Sequence, residues 1–363
     1  MSKNFFDYNS TTPVCPEALK AMLPYFSDIF ANPSAQTSKM SWQSQSAIKL
    51  AKSQISSLIE CHGSEIIFTS GATESINWVF EDFLKRGLPV LVSDIDHDAS
   101  FQKAEQTHVF KSNPDGTVNL ESFKEALKDM PKGSLVSLIH AHNELGTILN
   151  LQELIPLIKE KELFVHLDST QALGKFEFSF SDLEIDFLSC SAHKVYGPKG
   201  LGALIINKNI VSNLKPLILG GGQQNGMRSG TLNTPLIVGF GKACEVAQKS
   251  MASDITHYSE LKKIFLDEIK DCNHKLNGDV ENSLVNTVNV SFFDWTSLAP
   301  LYLELLPFSV SQSSACSTES NKKRILSSLG IPEAQTLRVS FGRGSDRDSV
   351  LNLARKILET LKK

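Results

Sequence analysis

Short apolar runs that end where polar residues gather alternate with amphipathic stretches between about Ser41 and Gln248. Glu65-Ile66-Ile67-Phe68-Thr69 precedes a helical run from Glu74, Leu135 to His140 precedes one from Leu151 to Lys161, and Leu163 to Asp168 repeats the strand pattern. This alternation predicts an α/β layer with a mostly parallel sheet. From about His257 the texture changes to a charged helix, strands over Val285 to Phe293 and Phe308 to Gln312, and a last helix from about Asp346 to Leu361. There Val350, Leu351, Ala354, Ile357, Leu358 and Leu361 share one face, as a packed amphipathic helix requires. The expected division is a large domain over 13–256 and a smaller α+β domain over 257–363, completed by about residues 1–12.

A chain of 363 residues, 41% hydrophobic and 21% charged, can bury a large core without staples, and a formal charge of -4 gives no global pull toward nucleic acid or anionic lipid. The six cysteines form no C-x-x-C pair and no zinc-like spacing, which suits a reducing compartment. The first residues lack the pattern of a signal peptide, and no apolar run reaches the roughly 18 residues that span a bilayer. The expected location is cytoplasmic, with no membrane and no direct nucleic-acid partner.

Four segments carry candidate chemistry. Ser70-Gly71-Ala72-Thr73-Glu74-Ser75 joins a strand to a helix, where free N–H groups and the helix dipole favour a phosphate; an ordinary turn capped by Ser70 or Thr73 is the alternative. Asp168 ends an apolar strand, with Gln171 three residues on, where open α/β sheets place ligand-contacting groups; a protonated ring nitrogen would suit the carboxylate, and a helix cap is the alternative. Ser191-Ala192-His193-Lys194 leaves the apolar stretch Phe187 to Cys190, so Lys194 can be desolvated and form a Schiff base while Ser191 and His193 grip a phosphate; a solvated lysine before the Gly197-Pro198 turn is the alternative, which the preceding Ser-x-His disfavours. In the last segment, Ser313 to Ser320, Cys316 sits in a polar loop of small residues, and Lys322, Lys323 and Arg324 either favour its thiolate or are simply solvated. Cys61, Cys190 and Cys244 read as core residues by default. His97, after Val90-Leu91-Val92, is either structural or a group that stacks on a flat ring and moves protons. Arg338 either clamps an amino-acid carboxylate or forms a structural salt bridge.

Taken in order, these residues resemble the cysteine desulfurases of the class V aminotransferase family, the NifS/IscS-like group of fold-type I pyridoxal-phosphate enzymes. The resemblance also covers Asp7-Tyr8-Asn9-Ser10-Thr11-Thr12-Pro13, Asn32-Pro33-Ser34, His142-Asn143-Glu144-Leu145-Gly146, Gly226 to Thr231 and Arg338 to Arg343. It implies a mostly parallel seven-stranded-type sheet flanked by helices, and pyridoxal 5'-phosphate held by Lys194. It further implies that His97 stacks on the ring, Asp168 pairs with the ring nitrogen, and Gln171 and Asn143 lie near the ring hydroxyl or substrate. Ala72, Thr73, Ser191 and His193 would bind the phosphate, with Thr231 supplied by the other subunit of a homodimer. Arg338 would hold the carboxylate of L-cysteine, and Cys316 would take the sulfur as a persulfide and pass it to an acceptor protein for iron–sulfur cluster assembly, tRNA or other thiolation. Ser38, Ser41 and His142 depart from the residues common at their positions and are expected to tune the pocket mouth. Selenocysteine lyase, another class V reaction, and a non-catalytic sulfur-carrier-binding module are the alternatives on the same scaffold.

Overall fold

The computed structural model describes residues 3–35, 37–101, 107–210, 214–294, 305, 307–311 and 324–361. Seven strands form the main sheet: β1 (Ile66–Thr69), β2 (Val90–Ser93), β3 (Thr107–Phe110), β4 (Leu135–Ile139), β5 (Phe164–Asp168), β6 (Phe187–Ser191) and β7 (Gly202–Ile206). Their spatial order is β1-β7-β6-β5-β4-β2-β3. β3, β2, β4, β5 and β6 run parallel, and β7 is antiparallel to both β6 and β1. The reversal follows from chain length. Residues 192–201 are too few for the dozen or more that a parallel crossover needs, so β7 turns straight back.

Both faces of this sheet are covered, which is why its strands read as unbroken apolar runs. Ile66, Phe68, Val136, Leu138, Ala203 and Ile205 pack into one core with the helices Lys39–Ile59 and Leu151–Glu160. The alternate residues Ile67, Val90, Val92, Leu135, Leu204 and Ile206 pack the other way, against Ile76, Val79, Phe80 and Phe83 of the helix Ala72–Lys85.

A second, antiparallel sheet has the order β10-β9-β8, with β8 at His274–Leu276, β9 at Thr287–Phe292 and β10 at Thr336–Ser340. Its core gathers Phe6, Phe265, Val288, Val290, Leu337 and Val339 with the helix Arg347–Leu361. On that helix Val350, Leu353, Ala354 and Ile357 are buried, whereas Leu351 and Leu358 are only half-buried. The expected strand over Phe308 to Gln312 is reduced, in its described part, to single bridges, Ser309 with Phe5 and Ser311 with Arg338. The N-terminal segment closes this side, since Ser340 N donates to Phe6 O and Phe6 N to Ser309 O.

The helix Thr234–Ile269 joins the two cores. Ile237, Phe240, Cys244, Ala247 and Met251 belong to the first, with Ile255 packed at its edge, and Tyr258, Leu261, Phe265 and Ile269 belong to the second. The expected break at 256/257 therefore falls inside one continuous helix, at the point where its buried face changes core. Gly241 lets this helix approach Lys39–Ile59 closely, because a Cβ there would stand 2.5 Å from Ala51 Cα. Gly241→Leu is expected to cost about 1–3 kcal/mol or more by forcing the helices apart, read as a lower urea midpoint; an unchanged midpoint would contradict the close approach.

Candidate active site

The loops that leave the carboxyl ends of β1, β2, β4, β5 and β6 meet over the sheet and, with the N-terminal segment and β10, enclose a cavity of about 580 Å³. Ala72, Thr73, His97, Asn143, Asp168, Gln171, Ser191, His193, Lys194 and Arg338 all line it. Thr231 is exposed and does not line this chain's cavity. Cys316, Lys322 and Lys323 lie outside the described residues.

At one end stands the start of the helix Ala72–Lys85, whose N-cap is Gly71 and which no side chain caps. Neither Ser70 nor Thr73 serves as the cap that an ordinary turn would use. Instead the Ser70 N–H donates to Glu74 Oε2 at 2.8 Å, and Arg228 binds both Glu74 oxygens, at 2.9 and 3.1 Å. Burial alone would raise the Glu74 carboxyl, but the Arg228 and Ser70 hydrogen bonds hold it below the usual value. The carboxylate is thus neutralised beside N–H groups suited to an anion. Gly202 makes the approach possible, because a Cβ on it would lie 2.6 Å from Gly71 Cα. Gly202→Ala is expected to push this turn out of place and weaken phosphate binding about tenfold or more, measured by titrating cofactor into apoprotein. Unchanged affinity would mean that the cradle lies elsewhere.

Next along the cavity, Asp168 ends β5 and its Oδ1 accepts from the Thr170 N–H at 2.9 Å. His97 Nδ1 accepts from the Ala99 N–H at 3.1 Å, which leaves Nε2 as the protonated nitrogen of the neutral ring. Burial lowers the His97 pKa, Lys194 and Arg324 add to this, and Asp168 and Asp98 oppose it. Burial, with Lys194 and Lys199, takes His193 down to about 4. Lys194 ends the short 3-10 helix Ala192–Lys194 that follows β6, and its amine donates to the carbonyls of Asn9 and, at 2.8 Å, Ser10.

At the far end Arg338, 2% exposed, donates to Asp7 Oδ1 at 2.6 Å and to Asn143 O at 3.1 Å. The structural ion pair is real, yet it does not use the whole guanidinium. Arg338 Nε and Asn143 Oδ1 are both buried and lack hydrogen-bond partners. A donor and an acceptor are left there that the protein alone does not satisfy.

Sequence reasoning did not single out Asn9, which knits these parts together. Its carbonyl accepts from Gln171 Nε2 at 2.7 Å and from Lys194, while its side chain donates to Asn143 O at 3.1 Å and Thr287 Oγ1 at 2.9 Å. The only signal was its place in the segment Asp7 to Pro13. Arg324 is not the solvated side chain that one of its two readings made it. It donates to the carbonyls of Asp94 and Asp96 at 2.5 Å each, pairs with Asp98 at 3.1 Å and lies 3.8 Å above the Phe101 ring. Ser38, Ser41 and His142 do not line the cavity. His142 is a buried bracket, with Nε2–H donating to Ile95 O and Nδ1 accepting from the N–H groups of Glu144 and Leu145.

Three buried imidazoles outside the cavity lining, His140, His142 and His166, are expected to make the fold acid-sensitive. Burial lowers His140 to about 3, and His142 and His166 to about 4. Unfolded, each takes up a proton near pH 6.5, so below that value the unfolded chain binds more protons than the folded one. Stability should then drop by ~1.4 kcal/mol per histidine per pH unit until these lowered values are approached. The urea midpoint is expected to fall steadily from pH 7 to 5, less steeply in His142→Asn; a flat profile would refute neutral burial.

Comparison with known proteins adds independent information. The sequence model of the family described as aminotransferase class-V matches residues 4–353. A mitosomal cysteine desulfurase of Encephalitozoon cuniculi (strain GB-M1) is 36% identical over 383 residues, covering 99% of this chain and 87% of that protein. A solved NifS-like protein superposes with a TM-score of 0.89 at 31% identity, covering 99% of both chains. The structure of SspA in complex with cysteine superposes with a TM-score of 0.79 at 32% identity, covering 93% of this chain and 98% of that one.

Proposed function

This chain belongs to the class V aminotransferase family, and on that footing we propose that it is a cysteine desulfurase working in the cavity that contains Lys194. Enzymes of this family generally use pyridoxal 5'-phosphate, and the residues present suit that group. The uncapped helix start with Ser191 and His193 suits its phosphate, Asp168 its ring nitrogen, and Lys194 its aldehyde. When bound, the cofactor supplies an electron sink for charge that develops on the substrate's α carbon.

This chain's own groups do the rest. Arg338 Nε and Asn143 Oδ1 receive the carboxylate and amino group of L-cysteine, which completes their hydrogen bonding. Neutral His97, which lines the cavity, would pack over the ring and offer Nε2–H to groups there. Lys194, which would hold the cofactor, would with its amine free be the base that takes the α proton. The Cys316 thiolate then attacks the substrate sulfur. A sulfur–sulfur bond forms as the carbon–sulfur bond breaks, the electron pair stays with carbon, and protonation there leads to L-alanine. The persulfide on Cys316 passes its outer sulfur to an acceptor protein.

The observation that carries this reading is the single cavity that unites Lys194, Asp168, an open helix start and an incompletely satisfied Arg338–Asn143 pair. We extend the proposal to a homodimer, in which the exposed Thr231 reaches the phosphate of the partner's cavity, and to a cytoplasmic location. Among the described residues no helix is long and apolar enough to cross a membrane. The test is to supply purified protein with cysteine and reductant and to measure alanine and sulfide. Equal amounts of both support the proposal; alanine without sulfide, or neither product from cofactor-loaded protein, refutes it.

A further inference from the structure

Behind Lys194 lies a second inward-turned amine to which nothing above gives a task. Lys175 Nζ donates to Gln171 Oε1 at 2.6 Å and to Asn9 Oδ1 at 3.3 Å. Among the described residues no carboxylate pairs with it. Asp254 shares a small void with Lys175, Lys194, Tyr8, Tyr196 and Tyr258 but is already paired with Arg343 at 2.7 Å. Burial, reinforced by the cations Lys194 and Arg338, pushes the Lys175 amine well below the ordinary lysine value. Whether charged or neutral, the amine has N–H groups to donate to Gln171 Oε1 and Asn9 Oδ1.

We propose that Lys175 is a positioning residue that fixes the amide of Gln171, so that Gln171 meets the bound ring as a hydrogen-bond donor. This rests on the reading that the cavity holds pyridoxal phosphate. An unconstrained glutamine amide can turn by half a revolution and present either oxygen or nitrogen. Here both ends are assigned, because Oε1 receives the Lys175 N–H while Nε2 donates one hydrogen to Asn9 O at 2.7 Å. Gln171 lines the cavity, so the second Nε2 hydrogen is what this wall offers to a ligand. Directed at the ring's phenolic oxygen, it stabilises negative charge there and loosens that oxygen's hold on the proton of the Lys194 link. The link then loses its proton at a lower pH than it otherwise would.

The experiment is a pH titration of the visible absorbance of the holoprotein, without substrate. Lys175→Met is expected to raise the midpoint by about one pH unit, the effect of one hydrogen bond. Lys175→Gln, an uncharged donor, should restore it, and in a Gln171→Leu background Lys175→Met should add no further shift. A wild-type midpoint in Lys175→Met, or an equal shift in the Gln171→Leu background, overturns the proposal. A crystal structure of the wild-type holoprotein tests it without any variant, since a gap wider than about 3.5 Å between Gln171 Nε2 and the ring oxygen also overturns it. The Lys194→Ala protein separates this inference from the reading beneath it. If that variant keeps the wild-type visible band, the cofactor assignment fails; if the band is lost while Lys175→Met is silent, only the role of Lys175 falls.

Discussion

Lys194→Ala is expected to remove the visible band of the linked cofactor and to lower alanine formation from cysteine by about a thousandfold or more, because one amine is asked both to hold the cofactor and to carry the α proton. Its surroundings explain why no neighbour can stand in. The amine donates to the Asn9 and Ser10 carbonyls, so two backbone groups help to aim it. Burial lowers the basicity of His97 and of His193, the latter to about 4, and Lys175 is turned away onto Gln171. The phosphate end should remain competent, so Lys194→Ala should still bind cofactor without linking to it. A variant that keeps both band and turnover would remove Lys194 from the mechanism.

Cys316→Ala is expected to produce the opposite pattern. The cofactor band should survive and respond to added cysteine, while sulfide and alanine fall together by about a thousandfold, since the attacking thiolate is gone and the carbon–sulfur bond stays intact. Four of the five described cysteines are poorly suited to replace it. Cys15, Cys190 and Cys244 are buried, burial raises the thiols of all three, and it takes Cys61 up to about 12. Wild type given one equivalent of cysteine should gain 32 Da as one sulfur atom, roughly, on the peptide that contains Cys316, by mass spectrometry after digestion. Full activity in Cys316→Ala, or sulfur found on another cysteine, would overturn the assignment.

What was legible in the sequence was local. Strands buried on both faces announce themselves as apolar runs, and the carboxyl ends of β1, β5 and β6 with the turns after them carried Thr73, Asp168 and Lys194 in recognisable company. What was not legible depends on pairing across long separations. Nothing near Arg338 in sequence reveals Asp7 as its partner, and nothing near Asn9 reveals that Lys175, Gln171, Asn143 and Asn286 converge on it. Leu353 was missed for a different reason, because periodicity marks a stripe and only the neighbouring core decides which residues beside it are covered. The antiparallel turn of β7 was likewise invisible to an argument from alternation, although the short link from Ala192 to Leu201 held the information.

The helix Thr234–Ile269 has a practical consequence for anyone who wishes to dissect the protein. A protease or a gene split acting at 256/257 would not release two self-sufficient halves. It would sever a rod in mid-span, leaving Met251 and Ile255 on one fragment and Tyr258 and Leu261 on the other, each beside a raw end with broken backbone hydrogen bonds. The same rod acts as a strut, so the two lobes should melt in one transition, and separate expression of either should yield insoluble or unfolded material unless the whole helix travels with it.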